Sequence, residues 1–314
     1  MLVSGPAADA GAGTARVSRE LPDMTVPGPH PVGLHVTTFT KLSETTGESR
    51  PLETYLWYPA VAGTGTADGN VFLDAKLIKR RLPLLLYSHG VCGIQIQSRF
   101  FVETLASWGF LVAAPGHTGD TRNDPDCRDN FGDSYLNRAA DISFLIDELL
   151  AIGKTDAPIA PRVRKRRIGM TGHSFGGNTT LEALAADPRI RAGVSMSPFM
   201  VGDPLIVQPT MIMGGEVDSV VPFEAQQRTA FERLDGPRFL VEILQTGHCG
   251  FTLACDPRCG DGCPPDGIEL DVAHALTMRH AAPFLMRYVR GRRRYANALD
   301  PATAPAGVVL DAAP

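Results

Sequence analysis

The sequence predicts an α/β protein with a central, mostly parallel β-sheet covered by helices on both faces. Short apolar segments of strand length alternate with longer segments of helical periodicity, which is typical of such a sheet. The segment 82–88 is almost continuously apolar, as expected for a strand buried on both faces. With 44% hydrophobic and 20% charged residues, the 314-residue chain can bury the core of one large domain.

The individual elements follow from these periodicities. Residues 34–40 and 53–58 form an opening pair of strands, and the glycine-rich segment 62–70 is predicted to be a loop. The later strands are short and rich in apolar residues, and they are predicted at 82–88, 110–114, 168–171, 192–196, 210–213 and 238–244. The helices have apolar residues at helical spacing, and they are predicted at 101–108, 142–150, 179–186, 223–234 and 272–289.

The ends of the chain differ in composition from its middle. Residues 1–30 are predicted to be a flexible arm, 31–292 the folded domain, and 293–314 a C-terminal tail.

Charge and hydropathy exclude several kinds of partner. The net charge of −4 gives no reason to expect nucleic acid, and no apolar run of about 18 residues predicts integral membrane association. The basic runs at 162–167 and 290–294 are interpreted as a solvated strand entry and a helix C-terminal charge cluster. The N-terminus does not resemble a signal peptide, which favours the cytoplasm. A leader already removed, together with disulfides in the cysteine cluster, would instead indicate secretion.

The six cysteines fall into two groups. Cys92 and Cys127 are isolated in the sequence, whereas Cys249, Cys255, Cys259 and Cys263 are close together. Disulfides or free thiols are favoured over zinc for the second group, because its spacing is not that of paired zinc ligands. The polar loop 120–133 lacks the regular spacing of a calcium loop and is interpreted as a mobile border of the active site. No metal and no cofactor are expected.

The pattern Gly172-His-Ser-Phe-Gly176 is the strongest functional signal. It lies between a predicted strand and a predicted helix, the context in which a sharp turn exposes a nucleophilic serine at the top of the sheet. Close backbone approach at such a turn requires glycine on both sides. Ser174 is therefore the predicted nucleophile.

An oxyanion needs two backbone donors. In this arrangement one N–H belongs to the residue after the nucleophile, here Phe175, and the other to the loop after an earlier strand. The segment Ser88-His-Gly-Val-Cys-Gly93 follows the strand at 82–88, which assigns the second donor to Val91. Cys92, His173 and Cys249 are candidates for the substrate pocket, and Cys92 is not expected to be a nucleophile.

The acid and the base follow the serine in the order Ser, Asp or Glu, His. Asp218 lies in the loop after the strand at 210–213 and is preferred to Glu216, which comes two residues early. His248 lies in a glycine-flanked loop after the next strand. His274 and His280 fall inside the closing helix, where a surface or packed histidine is expected. Arg138 and Asp141, at positions i and i+3 of a helix, are expected to brace the fold.

Together these motifs resemble the α/β-hydrolases. They are most similar to the bacterial predicted dienelactone hydrolases, a branch related to platelet-activating-factor acetylhydrolases and bacterial polyester hydrolases. The matching segments are 83–90, 105–117, 138–147, 172–177, 215–218 and 247–248. The resemblance implies a carboxylic-ester hydrolase without a cofactor. True dienelactone hydrolases have cysteine where this chain has Ser174, which argues against lactone chemistry.

The predicted function is therefore cleavage of a small or polymeric ester through an acyl-enzyme on Ser174, with a short-to-medium acyl or aromatic substrate. An acetylhydrolase-type phospholipase and a non-catalytic binding protein are the alternatives. The cysteine-rich insertion after His248 is expected to form a rim or lid over the acyl pocket.

Overall fold

A single mixed sheet organises the molecule. The computed structural model describes Met1 and residues 20–152, 160–254 and 267–314. The strands in these residues are β1 (Val32–Leu42), β2 (Ser49–Pro59), β3 (Thr66–Asp68), β4 (Val71–Leu73), β5 (Arg81–Ser88), β6 (Leu111–Pro115), β7 (Arg162–His173), β8 (Ile190–Met196), β9 (Thr210–Gly215), β10 (Arg238–Ile243) and β11 (Val308–Ala313). They are ordered β11-β10-β9-β8-β7-β5-β6-β2-β1-β4-β3 across the sheet.

The helices cover the two faces of this sheet. They are α1 (Arg99–Ser107), α2 (Phe131–Ile152), α3 (Phe175–Ala186), α4 (Thr229–Glu232) and α5 (Leu270–Tyr288). Short 3₁₀ segments occupy His248–Phe251, Arg293–Leu299 and Pro301–Thr303. Among the described helices, none is both long enough and apolar enough to cross a membrane.

The centre of the sheet is parallel. Strands β6, β5, β7, β8, β9 and β10 are neighbours in that order, and each adjacent pair runs in the same direction. Parallel strands of this kind are buried on both faces, and β5 accordingly has only Arg81 exposed. The predicted α/β class is confirmed, and the antiparallel β1–β2 pair matches the predicted opening strands.

The core consists of two apolar layers, one on each face. Residues from α1 and α5 pack in one layer, and residues from α2 and α3 pack in the other. Strand β5 supplies both layers alternately, because successive side chains of a strand point to opposite faces. Leu85 and Tyr87 belong to the first layer, and Leu84 and Leu86 to the second.

The predicted C-terminal tail, 293–314, is wrong, because this segment belongs to the domain. Its last strand, β11, pairs with β10 in antiparallel register. Val308 and Leu310 are buried and Val309 is exposed, as expected for an edge strand with one face on the core.

The predicted flexible arm, 1–30, extends too far. Residues 2–19 lie outside the described part of the chain, but the segment from residue 20 packs against α1. Met24 is buried in the core, Gly28 donates a backbone hydrogen bond to Ser107 Oγ at 2.6 Å, and Trp108 Nε1 donates to the Val26 carbonyl at 3.0 Å.

Two smaller predictions also differ from the structure. The predicted loop at 62–70 contains β3, which pairs with β4 in antiparallel register. The predicted helix at 223–234 begins with a π-helical turn at Phe223–Arg228 and becomes α-helical only in α4.

Candidate active site

Ser174 lies on the sharp turn between β7 and α3. Its φ of 56° and ψ of −118° are a backbone conformation that costs a non-glycine residue on the order of 1–3 kcal/mol. A Cβ at Gly172 would lie 2.2 Å from the Gly176 carbonyl oxygen, and a Cβ at Gly176 would lie 1.9 Å from the Ser88 carbonyl oxygen. Only glycine fits at either position, which is the reason for the Gly-x-Ser-x-Gly pattern at this turn.

Asp218 and His248 form a hydrogen-bonded pair. His248 Nδ1 lies 2.8 Å from Asp218 Oδ2, and both side chains are almost fully buried. The other carboxylate oxygen, Oδ1, accepts the N–H groups of Val220 at 3.0 Å and Val221 at 2.7 Å. These two bonds fix the carboxylate in one orientation, so the imidazole that it contacts is fixed as well.

The alternative acid, Glu216, has a different environment. It is exposed, and its carboxylate accepts the Gln245 backbone N–H at 2.9 Å. The loops after β9 and β10 touch closely, because a Cβ at Gly215 would lie 2.0 Å from the Thr246 carbonyl oxygen. This contact brings Asp218, rather than Glu216, to His248.

Ser174 and His248 line the same cavity, which has a volume of about 780 Å³. It opens at the carboxyl ends of β5 and β7, where ligands bind in open α/β sheets. Much of its wall is apolar, and the apolar side chains are Val91, Ile94, Ile96, Val220 and Leu253. Thus the predicted nucleophile and base come together at one opening.

The two predicted oxyanion donors lie beside Ser174. Phe175 follows it directly at the start of α3, and a Cβ at Gly90 would lie only 3.4 Å from Ser174 Cβ. Within residues 20–152, 160–254 and 267–314, no acceptor receives a hydrogen bond from the N–H of Val91 or of Phe175. The preceding amide, Gly90 N–H, donates to Gln97 Oε1 at 2.7 Å and holds the loop in place.

Arg138 contacts both segments that contain the predicted oxyanion donors, the loop of Val91 and the start of α3. Its guanidinium donates to the His89 carbonyl at 2.5 Å and to the Gly90 carbonyl at 3.2 Å. It also lies 4.2 Å from the ring centroid of Phe175. Asp120 accepts from Arg138 at 2.7 Å and, through its other oxygen, from the Cys92 N–H at 2.7 Å. The prediction that Arg138 braces the fold left out this connection.

A second buried charge pair supports the same loop. Arg50 donates to Asp141 at 2.8 Å, and Asp141 accepts from His117 Nδ1 at 2.8 Å. Nε2 of His117 lies 2.9 Å from Ser88 Oγ. Burial, reinforced by Arg138 and Arg50, holds the pKa of His117 well below its usual range, so the ring is neutral. Burial also raises the pKa of Asp141, an effect that Arg50 opposes.

His173, a predicted pocket residue, lines the cavity and also contacts the base. Its Nε2 lies 2.9 Å from the His248 carbonyl oxygen, and the two rings are 4.6 Å apart. Burial holds the pKa of His173 well below its usual range, so it is neutral and donates from Nε2. It therefore fixes the backbone of His248.

Cys92, a predicted pocket residue, lines the cavity, and it is bonded to Cys127, a pairing that the sequence does not predict. The two Cα atoms lie 5.4 Å apart, and both residues line the cavity. The disulfide joins the loop of Val91 to the polar loop at 120–133. The two cysteines are 35 residues apart in the sequence, and no sequence pattern pairs them.

Cys249 is fully buried and disulfide-bonded, and it is not among the described residues that line the cavity. The other cysteines of its cluster, at 255, 259 and 263, lie outside the described residues, as does the predicted lid that they would form. In the part of the chain that the structure describes, no group of three His, Cys, Asp or Glu side chains could hold a metal ion.

His274 and His280 are packed within α5. His274 stacks on Phe100 with ring centroids 3.6 Å apart, and His280 Nδ1 contacts the Leu276 carbonyl at 2.9 Å. Neither residue lies on the described wall of the cavity.

A strained serine between strand and helix, next to a buried Asp–His pair, defines an α/β-hydrolase with a Ser-Asp-His arrangement. The profile of the PET hydrolase-like family matches residues 61–256, and the chain belongs to this family.

Curated relatives agree with this assignment, and a solved structure shares the fold. The chain is 26% identical over 193 residues to a bis(hydroxyethyl) terephthalate hydrolase of Streptomyces coelicolor, covering 60% of this chain and 57% of the relative. It is 29% identical over 154 residues to cutinase est2 of Thermobifida alba, covering 48% and 46%. The chain thus spans about half the length of the curated relatives that it matches. The structure of a ferulic acid esterase from Streptomyces cinnamoneus shares the fold, with a TM-score of 0.75, 23% identity and coverage of 91% and 98%.

Proposed function

We propose that this protein is a serine carboxylic-ester hydrolase that forms an acyl-enzyme on Ser174. The observation that carries the proposal is the Asp218–His248 hydrogen bond of 2.8 Å at the cavity that Ser174 also lines. Similarity to a terephthalate ester hydrolase and to cutinases supports the same reaction class.

In the first half of the reaction, Ser174 Oγ attacks the carbonyl carbon of the ester. His248 takes the hydroxyl proton on Nε2, because its Nδ1 is engaged by Asp218. Asp218 remains ionised and stabilises the imidazolium that forms. The tetrahedral intermediate then collapses, the ester C–O bond breaks, and the leaving alcohol takes the proton from His248.

In the second half, water replaces the alcohol. His248 removes a proton from the water as it attacks the acyl carbon, and a second tetrahedral intermediate forms. Collapse of this intermediate breaks the bond to Ser174 Oγ, which recovers its proton from His248. The carboxylic acid leaves, and the enzyme returns to its starting state.

The N–H groups of Val91 and Phe175 stabilise the negative oxygen in both intermediates. Loss of one such donor typically costs about 10²–10³ in rate. Arg138 is a positioning residue for both donors, since it binds the carbonyls before Val91 and packs on the Phe175 ring.

Short-to-medium acyl esters and aromatic esters, including polyesters, are the proposed substrates. A cavity of about 780 Å³ is large enough for an aromatic ester, within the roughly 300–1,000 Å³ usual for small-molecule sites. The apolar wall formed by Val91, Ile94 and Val220 suits an acyl or aryl group. The charged residues Arg122 and Asp126 also line the cavity, and both are exposed to solvent.

An oxidising compartment is the proposed location. The Cys92–Cys127 bond and the bonded state of Cys249 favour it over the cytoplasm, where thiols are kept reduced. Thiol titration of protein purified from its native source without reductant tests this. Bonded Cys92 is expected, and a free Cys92 thiol would contradict the proposal.

The catalytic proposal is tested with p-nitrophenyl acetate, butyrate and octanoate and with bis(hydroxyethyl) terephthalate. We expect Ser174→Ala to lower kcat by about 10⁴–10⁶. Asp218→Asn should lower it by about 10⁴, because the wrong tautomer of His248 results. Glu216→Gln is the matched control and should retain activity.

Two outcomes would contradict the proposal. Turnover that survives in Ser174→Ala would exclude Ser174 as the nucleophile. A folded wild type that binds these esters without turning them over would favour a binding protein instead.

A further inference from the structure

A second cavity, of about 240 Å³, lies at the opposite end of the parallel strands from Ser174. Arg81 and Arg164, at the amino-terminal ends of β5 and β7, contribute to its wall. The active-site loops follow the carboxyl ends of the same strands, roughly 20 Å away at about 3.3 Å per residue. The two cavities are therefore separate sites.

The arginines on the wall of this cavity come from three parts of the sequence. The two basic runs at 162–167 and 290–294 meet there, together with a basic pair, Arg80 and Arg81, at the start of β5. Six arginines line it, and we call them the arginine cluster: Arg80, Arg81, Arg164, Arg167, Arg290 and Arg292. The interpretation of the two runs as unrelated surface charges does not account for this convergence.

None of the arginine cluster pairs with a carboxylate in the described part of the chain. Their hydrogen bonds to the protein go to neutral groups instead, mainly carbonyl oxygens, and Arg290 also contacts the Met286 sulfur and the Phe110 ring. Arg164 donates to the Arg81 carbonyl at 2.9 Å, Arg167 to the Val289 carbonyl at 3.3 Å, and Arg290 to the Trp108 carbonyl at 2.5 Å. Most of the donors of these guanidinium groups therefore remain available.

Such a cluster is electrostatically unfavourable when it is empty. Burial, reinforced by Arg292, Arg164 and Arg80, lowers the pKa of Arg290 to about 10. Burial, with Arg80 and Arg290, also lowers the pKa of His30 on the same wall. This concentration of positive charge occurs in a chain whose net charge is −4, so it is not a consequence of a basic composition.

We propose that the arginine cluster binds a phosphate-type oxyanion. Each guanidinium presents a planar fork of N–H donors that matches two oxygens of a phosphate group. A cavity of about 240 Å³ suits one or two such groups and is too small for an ester substrate of polymer type. The phosphate can come from a free di- or triphosphate or from a lipid headgroup, since both present the same chemistry.

The first test is calorimetric titration with sodium pyrophosphate at an ionic strength held constant with sodium chloride. The double variant Arg80→Gln/Arg164→Gln removes two exposed members of the cluster. The control, Lys165→Gln/Arg279→Gln, removes the same charge from exposed positions that do not line the cavity. We expect the first variant to weaken binding about tenfold or more per arginine, as for a lost charge-assisted hydrogen bond, and the control to bind as wild type does.

Ester hydrolysis should be unchanged in both variants, because the cluster lies at the other end of the strands. Pyrophosphate that binds wild type no better than matched chloride would overturn the proposal. Equal weakening by both variants would also overturn it, because that result indicates diffuse charge and not a site.

Flotation with vesicles of phosphatidylglycerol and of phosphatidylcholine identifies the source of the phosphate. Pyrophosphate binding without flotation supports a free anion. Flotation with phosphatidylglycerol alone, reversed by pyrophosphate, supports a headgroup. If the protein neither binds pyrophosphate nor floats with phosphatidylglycerol vesicles, the arginine cluster has no phosphate ligand and the proposal is contradicted.

Discussion

The two ends of the parallel strands contain arginines in opposite electrostatic settings. At the carboxyl ends, Arg50 and Arg138 are only 3% and 1% exposed, and each contacts a buried carboxylate within 2.8 Å. At the amino ends, the arginine cluster has no carboxylate partner among the described residues. A buried arginine that pairs with a carboxylate fixes the structure around it. Arginines that lack a carboxylate partner can instead bind an anionic ligand. The first group therefore serves the geometry of the active site, and the second serves a ligand.

The largest effect on the free energy of unfolding is expected for Arg138→Met. Removing the guanidinium leaves Asp120 buried without its partner, which typically costs about 3–5 kcal/mol of folding stability. We also expect kcat to fall by about 10²-fold with little change in KM, because the oxyanion donors lose their positioning. Denaturant unfolding and steady-state kinetics on p-nitrophenyl butyrate measure the two effects.

A second variant separates positioning from folding. Arg138→Met/Asp120→Leu removes both charges and should regain much of the stability while kcat stays low. Arg228→Met is the surface control, since its partners Glu224 and Asp311 are largely exposed and none of the three lines the cavity, so this variant should cost at most about 1 kcal/mol. Wild-type kcat in a stably folded Arg138→Met would contradict the positioning role.

Acid should destabilise the carboxyl end of the strands. Burial holds the pKa values of His89, His117 and His173 well below the usual range in the folded protein. The unfolded chain binds these protons near pH 6.5 and the folded chain does not, so stability is lost as the pH falls below about 6.5. Each histidine contributes up to about 1.4 kcal/mol per pH unit.

Urea unfolding at pH 7.5 and 5.5 measures this loss of stability. In His173→Gln the free energy of unfolding should change less between the two pH values, because one fewer histidine takes up a proton on unfolding. The same change in the free energy of unfolding in His173→Gln as in wild type would contradict a neutral, buried His173.

Loss of the Cys92–Cys127 disulfide should have an intermediate effect on the free energy of unfolding. Cys92→Ser/Cys127→Ser releases the loop that contains Val91, and we expect a loss of about 2–4 kcal/mol from the unfolding free energy. Thermal unfolding of this variant, compared with wild type without reductant, measures the change. An unaltered melting temperature would mean that the bond constrains neither loop.

The smallest effect on stability is expected when arginines of the cluster are replaced in the ligand-free protein. Arg80→Gln/Arg164→Gln relieves like-charge repulsion and should raise Tm by about 1–3 °C at low salt. The gain should disappear near 1 M salt, where screening acts over about 3 Å. Lys165→Gln/Arg279→Gln should show no such gain. A lower Tm in the cluster variant would mean that these arginines stabilise the empty protein.

Local patterns in the sequence were sufficient for the parallel core and for the catalytic candidates. The glycines around Ser174 and the loops after two strands predict where Ser174, Asp218 and His248 lie, because these signals depend on neighbouring residues. The sequence does not predict the strand at Val308–Ala313, because its Ala- and Pro-rich surroundings are typical of a tail; the structure nevertheless buries Val308 and Leu310.

The remaining features depend on contacts between distant parts of the chain. Cys92 and Cys127 are 35 residues apart, and nothing in the sequence pairs them. The arginine cluster combines segments separated by more than 80 residues and becomes visible only when β5 and β7 lie side by side. For Arg138 a signal existed, because it lies one helical turn before the buried Ile142 and therefore on the buried face of α2.

Labelling with a fluorophosphonate tests the central claim most directly, because such reagents phosphonylate an activated serine far faster than an ordinary one. Peptide mass spectrometry after labelling should find the phosphonyl group on Ser174 in wild type and in Glu216→Gln, and none in His248→Ala. Labelling of a different residue, or loss of activity with Ser174 unmodified, would contradict the assignment of Ser174, Asp218 and His248 as the catalytic residues.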